Sequence, residues 1–488
     1  MRLFLMVCIL SLIMVLSSCG RGQSENTYEI AIESEAYEEI ATPSIPEPNE
    51  PHIPAPPTPT PIQEIPAMPP VVGRFDFSED AYLLVSTIED AHPSFIMYDW
   101  SLDNYFTQRE IFLSSVTSTL LSVDEFKWAI RRYVTSLRDS HMNLHSPNDT
   151  FLDVNIIFYD GNLYVTYDDA VKSKLIAIGG VYVTQIIQNI EMYFYLENDT
   201  ARYVGYPFII RRKSLLMRSG AEISDGSTQV TLLYGEDKNI VYKNKSFAPL
   251  VPHRFNWGNN YVTDYHMIND IFYIRASRFT CGRSHLEVFD GDYGIERILT
   301  LCWRHQRLHN SISAAVDNGI RYFIVDVRDN IGGNTIIPEM MLNRLGIYTP
   351  FHGGYRRTSW LTRAALPDLN HVDYAVALPC LERAANPKNI VLVVLMNHNT
   401  NSAANLFASL IQDGSLGYLI GEPSVQSPSM FGDMLSVYLP KSSFYIPISH
   451  LRVNRADANA DQLTLWPDII VPYSEALYVA LEFIYNRG

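Results

Sequence analysis

The spacing of apolar residues predicts helices in one part of the chain and strands in the next. Residues 78–138 carry apolar side chains at helical spacing, for example Phe126 and Ile130, because positions three or four apart share one face of a helix. Residues 151–250 change to strand-like segments, and Asp160-Gly161 between two of them is typical of a hairpin turn. The folded part of the chain is therefore expected to start with helices and to continue with strands.

The last third of the chain has a third pattern. Three short apolar runs look like buried strands, at residues 321–327, 389–396 and 416–420, and residues 271–275 read as another strand. Helical stretches separate these runs. Strands that alternate with helices predict an α/β layer architecture for this region.

The first residues are typical of a secretory signal. Met1-Arg2 precedes an apolar run over residues 3–16, which is short for a membrane span of about 20 residues. The run ends in Leu16-Ser17-Ser18-Cys19, which resembles the lipobox of bacterial lipoproteins. The resemblance implies cleavage before Cys19, lipidation of its sulfur and an extracytoplasmic protein anchored to the bacterial membrane. An ordinary signal peptide with a chance Cys is the alternative.

Residues 20–72 are acidic and rich in Pro. They contain 12 of the 28 Pro, and one Arg against nine Glu gives them a charge of -8, half of the chain's total of -16. Such a segment buries too little apolar surface to fold and favours an extended spacer. The acidic balance also excludes a generic nucleic-acid-binding surface, so we expect no nucleic-acid partner.

Ser402 lies where a predicted helix begins after a buried strand. From Ala403 onwards apolar residues recur at i, i+3, i+4, i+7 and i+8, which predicts an amphipathic helix ending near Gly414. The first N–H groups of a helix are unpaired, so Ala403 N–H could receive the oxyanion formed when Ser402 attacks a carbonyl. Taken alone, the placement favours the simpler role of Ser402 as a helix N-cap.

Two further turns carry candidate chemistry. Gly332-Gly333 follows a buried strand, and glycines allow the positive φ and close approach with which a turn presents N–H groups to an anionic oxygen. A plain strand-to-helix loop is the alternative. His141, at the end of the helical region, is the residue type poised as a base near neutral pH, although a lone His is more often structural.

Taken together, these segments resemble the C-terminal processing (tail-specific) serine protease family. The matching motifs are Leu137-x-Asp139-Ser140-His141, Asp326-Val327-Arg328-x-Asn330-x-Gly332-Gly333, Ser402-Ala403-Ala404-Asn405 and Gly421-Glu422-Pro423-Ser424. The resemblance covers roughly residues 78–475. It implies an α/β fold with a Clp-protease/crotonase-like catalytic core, an N-terminal helical region and a β segment that resembles a degenerate PDZ domain at residues 179–186. Ser402 aligns with the nucleophile, and Ala403 with Gly332 or Gly333 would form the oxyanion hole.

The chain departs from the family pattern at two positions. Bacterial members typically use a Lys 25 residues after the nucleophile as the base, and Ser427 stands there. Lys441, the next Lys, belongs to a predicted turn with a solvated side chain. Asn405 stands where the family motif has Glu, so the charge of that Glu is missing.

A second branch, represented by the tricorn core protease, uses a Ser-His pair with an acidic partner. Ser140-His141 matches that pair, and Asp461 precedes Pro467-Asp468 near the C-terminus as the partner does there. The resemblance implies that His141 is the general base for Ser402, and that Asp461, directly or through Ser140, holds it in place.

Other candidates receive weaker assignments. His398 could reach Ser402 but ranks below His141, and packing explains Asp413. Cys281, Cys302 and Cys380 are expected to be buried apolar residues rather than ligands, with a disulfide between two of them left open. We expect no metal and no cofactor.

The sequence thus predicts a membrane-tethered extracytoplasmic serine endopeptidase that hydrolyses unfolded or C-terminal protein segments. A catalytically inactive binding or scaffolding protein and a hydrolase of small esters or amides are the alternatives, and the oligomeric state stays open. The expected divisions are a signal peptide at 1–18, lipidated Cys19 and spacer at 19–72, a helical region at 73–150, a β-rich segment at 151–255 and the catalytic domain at 256–488.

Overall fold

The computed structural model describes most of the chain after the predicted spacer. The described residues are 73–97, 101–144, 149–167, 171–234, 239–249, 263–279, 303–365 and 374–487. The predicted signal peptide, Cys19 and the spacer lie outside them. Within these ranges, no helix has both the length and the apolar character needed to cross a bilayer.

The first described region is helical, as the apolar spacing predicts. Its helices are α1 (Ser78–Ala91), α2 (Asp103–Thr117) and α3 (Val123–Thr135), with 3-10 turns at Pro93–Ile96 and Ser140–Met142. Helix α3 begins with a capping box in which the side chains of Ser122 and Glu125 bind each other's main-chain N–H. Phe126 of α3 stacks on Phe77 with 4.4 Å between ring centroids. These contacts fix the beginning of α3, and the turn with His141 follows its other end.

The second region is an antiparallel sheet with three helices. Its strands are β1 (Thr150–Leu152), β2 (Asn155–Tyr159), β3 (Asn162–Tyr167), β4 (Val171–Ile178), β5 (Val181–Tyr182), β6 (Ser227–Tyr234) and β7 (Asn239–Pro249), in the order β1-β7-β6-β4-β3-β2 with β5 beside β4. Its helices are α4 (Val183–Tyr193), α5 (Asp199–Ile209) and α6 (Lys213–Arg218). The predicted hairpin is confirmed, because Asp160 and Gly161 join β2 to β3 with φ of 45° and 70°.

The third region is built on a six-stranded sheet in the order β17-β14-β13-β10-β9-β8. The strands are β8 (Thr263–Ile268), β9 (Ile271–Ala276), β10 (Tyr322–Asp326), β13 (Val391–Met396), β14 (Tyr418–Gly421) and β17 (Ile469–Ile470). All neighbours pair in parallel except β8 and β9. The three predicted buried strands are confirmed as β10, β13 and β14.

Helices cover both faces of this sheet. They are α7 (Trp303–Asp317), α8 (Ile336–Leu345), α10 (Ala403–Asp413) and α11 (Ala476–Tyr485). A further helix, α9 (Trp360–Ala365), instead contacts α1. Ile312, Leu342 and Phe407 from α7, α8 and α10 share one buried cluster with the sheet, and Ala480 of α11 belongs to the cluster on the opposite face. The α/β layer architecture predicted for the last third is therefore confirmed.

A smaller antiparallel sheet joins the helical region to the α/β region. Its strands are β11 (Gly353–Arg357), β12 (Tyr374–Ala377), β15 (Met430–Leu439) and β16 (Phe444–Asn454), in the order β12-β11-β16-β15. The buried Asp80 of α1 accepts hydrogen bonds from Lys441 N at 3.0 Å and Ser442 N at 2.7 Å, at the turn between β15 and β16. This contact brings the helical region, and with it His141, towards the loop that precedes β15.

Candidate active site

Ser402 occupies a strained junction between β13 and α10. Its backbone has φ 50° and ψ -123°, which a residue with a side chain rarely adopts. Ser402 stands at the N-cap position of α10, but its side chain makes no capping hydrogen bond to the helix. The strain instead sets the Ser402 side chain at the positive end of the helix, a placement that suits a nucleophile.

The glycine turn after β10 packs directly against Ser402. A Cβ added to Gly332, whose φ is 97°, would lie 2.6 Å from Ser402 Cβ and 2.8 Å from Ala403 N, so only glycine fits. The Gly332 N–H donates to Asn330 Oδ1 at 2.8 Å. Neither Gly333 N–H nor Ala403 N–H has a hydrogen-bond acceptor among the described residues. Of the two predicted glycines, Gly333 is therefore the one whose N–H is free for an oxyanion.

His141 lies in the short turn after α3 and faces the buried Asp139. Its main-chain N–H donates to Asp139 Oδ1 at 2.9 Å, and its Nδ1 is 3.7 Å from the same oxygen. The second distance is that of an ion pair rather than of a hydrogen bond. Burial lowers the pKa of His141, but attraction by Asp139 and then by Glu197 outweighs it, so the pKa of His141 lies above its ordinary value.

A second histidine holds the other oxygen of Asp139. His92 is buried, its Nε2 is 3.4 Å from Asp139 Oδ2, and its Nδ1 accepts the N–H of Ser94 at 3.3 Å. Because Nδ1 accepts, the proton of neutral His92 is on Nε2 and points at the carboxylate. Burial opposes ionisation of Asp139, yet the two imidazoles hold its pKa well below the usual range. Asp139 is thus a buried carboxylate fixed between His92 and His141.

Ser140 contacts a glutamate that sequence reasoning missed. Ser140 Oγ donates to Glu197 Oε1, and Ser427 N–H donates to Glu197 Oε2 at 2.7 Å. Burial raises the pKa of Glu197, although the hydrogen bonds from Ser140 and Ser427 oppose that rise. Glu197 belongs to the segment between α4 and α5, and no local pattern marks it.

Among the described residues, the Asp461 carboxylate makes no hydrogen bond or ion pair with Ser140, His141 or Ser402. Its Oδ1 accepts the N–H groups of Leu463 at 2.8 Å and Thr464 at 3.1 Å, and its Oδ2 accepts Trp466 Nε1 at 3.1 Å. The prediction that Asp461 is the acidic partner is therefore wrong for this structure, because its carboxylate closes its own turn. Asp139 and Glu197 supply the acidic groups around the Ser140-His141 pair.

One more side chain lies between Ser402 and His141. Gln426 Oε1 accepts the main-chain N–H of Ser402, and Gln426 Nε2 is 3.4 Å from His141 Nε2. Among the described residues, no hydrogen bond joins Ser402 Oγ to the imidazole. Asn405, at the position of the family's Glu, donates to Gln426 O at 3.1 Å and Ser427 O at 3.0 Å. Asn405 thus supports the loop that carries Gln426.

The weaker candidates have other partners. His398 Nδ1 is 2.8 Å from Pro423 O, and Lys441 Nζ pairs with the exposed Glu79 at 3.3 Å. Asp413 pairs with Arg455 at 2.8 Å, which agrees with a packing role.

Of the three cysteines singled out from the sequence, the structure describes only one. Cys380 is half-buried, whereas Cys281 and Cys302 lie outside the described residues. In the part of the chain that the structure describes, no group of His, Cys, Asp and Glu is arranged to hold a metal ion.

Comparison with known proteins gives one family match. Residues 271–461 match the model of peptidase family S41. No curated protein sequence is significantly similar to the chain.

Among solved structures, mature CPAF is similar at 12% identity with a TM-score of 0.54, over 84% of this chain and 95% of that one. Mature CPAF complexed with lactacystin has a TM-score of 0.52 at 12% identity, over 84% and 97%. The photosystem II D1 C-terminal processing protease has a TM-score of 0.39 at 14% identity, over 81% and 93%. Residues 271–461 are therefore similar to peptidase family S41, the chain shares its fold with CPAF, and Ser402 and the glycine turn lie within the matched range.

Proposed function

We propose that this protein is a membrane-tethered extracytoplasmic serine endopeptidase that cleaves unfolded or C-terminal segments of proteins. One arrangement carries the proposal: strained Ser402 lies beside the unpaired N–H groups of Ala403 and Gly333, and His141 faces the buried carboxylate of Asp139. The nucleophile, the oxyanion donors and the pair formed by the His141 imidazole and the Asp139 carboxylate come from separate elements of the fold. This is the combination that acyl transfer needs.

The nucleophile is activated by His141. His141 Nε2 accepts the proton of Ser402 Oγ as the oxygen attacks the scissile carbonyl, and later returns it to the leaving nitrogen. Asp139 stabilises the imidazolium formed in between, and His92 keeps the Asp139 carboxylate in place. Ser140 and Glu197 fix the turn on which His141 lies.

The charge that develops on the substrate carbonyl oxygen is stabilised by main-chain groups. Ala403 N–H and Gly333 N–H supply two hydrogen bonds, and the positive end of α10 adds to them. Each such donor is typically worth about 100- to 1,000-fold in rate. Asn330 holds the turn in shape by engaging Gly332 N–H at 2.8 Å.

Labelling and hydrolysis test the proposal. A serine-directed fluorophosphonate should label the folded wild type and leave Ser402→Ala unlabelled. Cleavage of an unfolded protein, but not of the same protein folded, would agree with the proposed substrate. A peptide with a free C-terminal carboxylate, compared with its C-terminal amide, tests whether the chain end is recognised. Absence of labelling between about pH 6 and 9 in folded protein would contradict the enzyme assignment.

One observation favours a second function. Gln426 separates His141 from Ser402, and Ser427 stands where a base would be expected. A binding or scaffolding protein that retains the fold without turnover is the alternative. It is supported if unfolded peptides bind wild type and Ser402→Ala equally and neither cleaves them.

The tether is proposed from the N-terminal sequence alone. Leu16-Ser17-Ser18-Cys19 fits lipidation at Cys19, and two or more acyl chains hold a protein on a membrane without a spanning helix. Cys19→Ala should shift the protein from the membrane fraction to the soluble fraction and abolish incorporation of labelled palmitate. Retention on membranes without label would contradict lipidation.

A further inference from the structure

The side chain of Gln426 fills the gap between the main chain of Ser402 and the imidazole of His141. Its Oε1 accepts Ser402 N–H and its Nε2 is 3.4 Å from His141 Nε2. The residue is only 2% exposed, so the carboxamide is held inside the site rather than resting on its rim.

The loop that carries Gln426 is anchored on both sides. Gln426 N–H donates to Ser424 Oγ at 3.0 Å, and Ser424 Oγ in turn donates to Thr400 O at 2.7 Å. Asn405 Nδ2 binds Gln426 O at 3.1 Å. With the backbone held in this way, a change in the contacts of Gln426 has to come from its side chain.

The polarity of these contacts decides what the carboxamide does. An amide nitrogen only donates hydrogen bonds, so the contact requires the lone pair of His141 Nε2 to accept from Gln426. Ser402 Oγ–H needs the same lone pair in order to lose its proton. Gln426 therefore competes with the nucleophile for the base.

A substrate amide would need the space that Gln426 Nε2 fills beside the imidazole. With the carbonyl oxygen of the scissile peptide bond on Ala403 N–H and Gly333 N–H, its nitrogen lies towards the imidazole that protonates it. Gln426 Nε2 is 3.4 Å from His141 Nε2, while Gln426 Oε1 and Asn401 Oδ1 both accept Ser402 N–H. We propose that Gln426 is an internal occupant of the space beside His141 Nε2 that the scissile nitrogen needs, and that substrate displaces it. This inference rests on the proposed peptidase function and adds a resting state to it.

The rate of fluorophosphonate labelling of the full chain tests the proposal, because the probe reports Ser402 reactivity without a peptide to displace Gln426. Gln426→Ala should be labelled about 10-fold faster than wild type, the effect expected from releasing one or two ordinary hydrogen bonds. Gln188→Ala, which removes an exposed Gln from α4, should be labelled at the wild-type rate. Thermal unfolding of each variant shows that it is folded.

A charged variant adds a second measurement, the pH midpoint of labelling, which a change in packing alone would not shift. In Gln426→Glu the carboxylate cannot donate to His141 Nε2 and instead attracts the imidazolium, joining Asp139 and Glu197, the other charged groups that act on this imidazole. The pH midpoint of labelling should therefore move to higher pH than in wild type. In Gln426→Ala the midpoint should not rise.

The outcomes separate this inference from the proposed function. Faster labelling of Gln426→Ala than of wild type supports the internal occupant. An equal or lower rate than a labelled wild type overturns it and leaves the peptidase standing. If neither folded protein is labelled, both the inference and the peptidase assignment fall.

Discussion

The main-chain N–H of Ser427 donates to Glu197 Oε2 at 2.7 Å, although the two residues are 230 positions apart. By the sequence resemblance described above, Ser427 aligns with the Lys that bacterial tail-specific proteases typically use as base. The contact fixes the backbone at this position. The other oxygen of Glu197 accepts a hydrogen bond from the Oγ of Ser140, which is the residue before His141. The position of the missing Lys is thereby connected to the residue that we propose as its replacement.

Asp139→Asn should leave the fold intact and lower kcat by about 100- to 10,000-fold, because a neutral amide neither stabilises the imidazolium nor enforces its tautomer. Asp225→Asn is a matched control, since Asp225 is exposed in a turn, has φ 50° and tolerates the same change. Steady-state kinetics on an unfolded substrate gives the comparison. A kcat within about twofold of wild type would remove Asp139 from the mechanism.

The dependence of rate on pH follows from His141. Its pKa is raised above the ordinary value of about 6.5, and only the neutral imidazole accepts the Ser402 proton. Activity should therefore rise with pH through a midpoint above about 6.5 and be lost in more acidic buffer. The acid limb of kcat/KM measures this midpoint. In Glu197→Gln the limb should move to lower pH, because one of the negative charges that favour the imidazolium is gone.

The stability effect of Glu197→Gln should depend on pH. Burial raises the pKa of Glu197 in the folded state, so the protonated form is favoured there. Protonated Glu197 therefore contributes to stability at pH values below its pKa in the unfolded chain, about 4.3. This contribution is lost as the pH rises through the pKa of Glu197 in the folded protein. The free energy of unfolding of Glu197→Gln relative to wild type should therefore increase from pH 4 to pH 8. The exposed Glu222→Gln is the control, and a pH-independent difference at residue 197 would contradict the prediction.

Gly332→Ala should displace Ser402 and lower both stability and labelling. The new Cβ would lie 2.6 Å from Ser402 Cβ at φ 97°, and strain of this kind typically costs about 1–3 kcal/mol. Gly319→Ala is the matched control, because its φ is 89° but nothing lies within 4 Å of the added Cβ. Denaturant unfolding and fluorophosphonate labelling of both variants test this. Equal labelling of the two variants would show that Ser402 tolerates the displacement.

Several parts of the fold could be predicted from the sequence because short-range patterns encode them. Apolar spacing predicted the helical region, the buried strands β10, β13 and β14, and helix α10. The Asp160-Gly161 pair predicted its hairpin because both residues tolerate positive φ. The same local logic placed Ser402 at the junction of a strand and a helix and the two glycines in a tight turn.

The partners of these residues could not be predicted in this way. Ser402 makes no capping hydrogen bond, Gly332 packs against it, and its backbone takes a strained conformation that no local pattern encodes. Asp461 was predicted to be the acidic partner of His141 because of its position in the sequence before Pro467-Asp468. In the structure, its carboxylate instead accepts three hydrogen bonds within its own turn.

By itself, the sequence determined the helical region, the hairpin, the buried strands β10, β13 and β14 and helix α10, together with the places of Ser402 and the glycine turn along the chain. Only the tertiary structure decided that Asp139 and Glu197 surround the Ser140-His141 pair and that Gln426 faces His141. The physical reason is distance along the chain: Glu197 is 57 residues from Ser140, and Gln426 is 285 residues from His141. Local propensity acts over a few neighbouring residues, whereas contacts of this range form only when separate sheets and helices pack together.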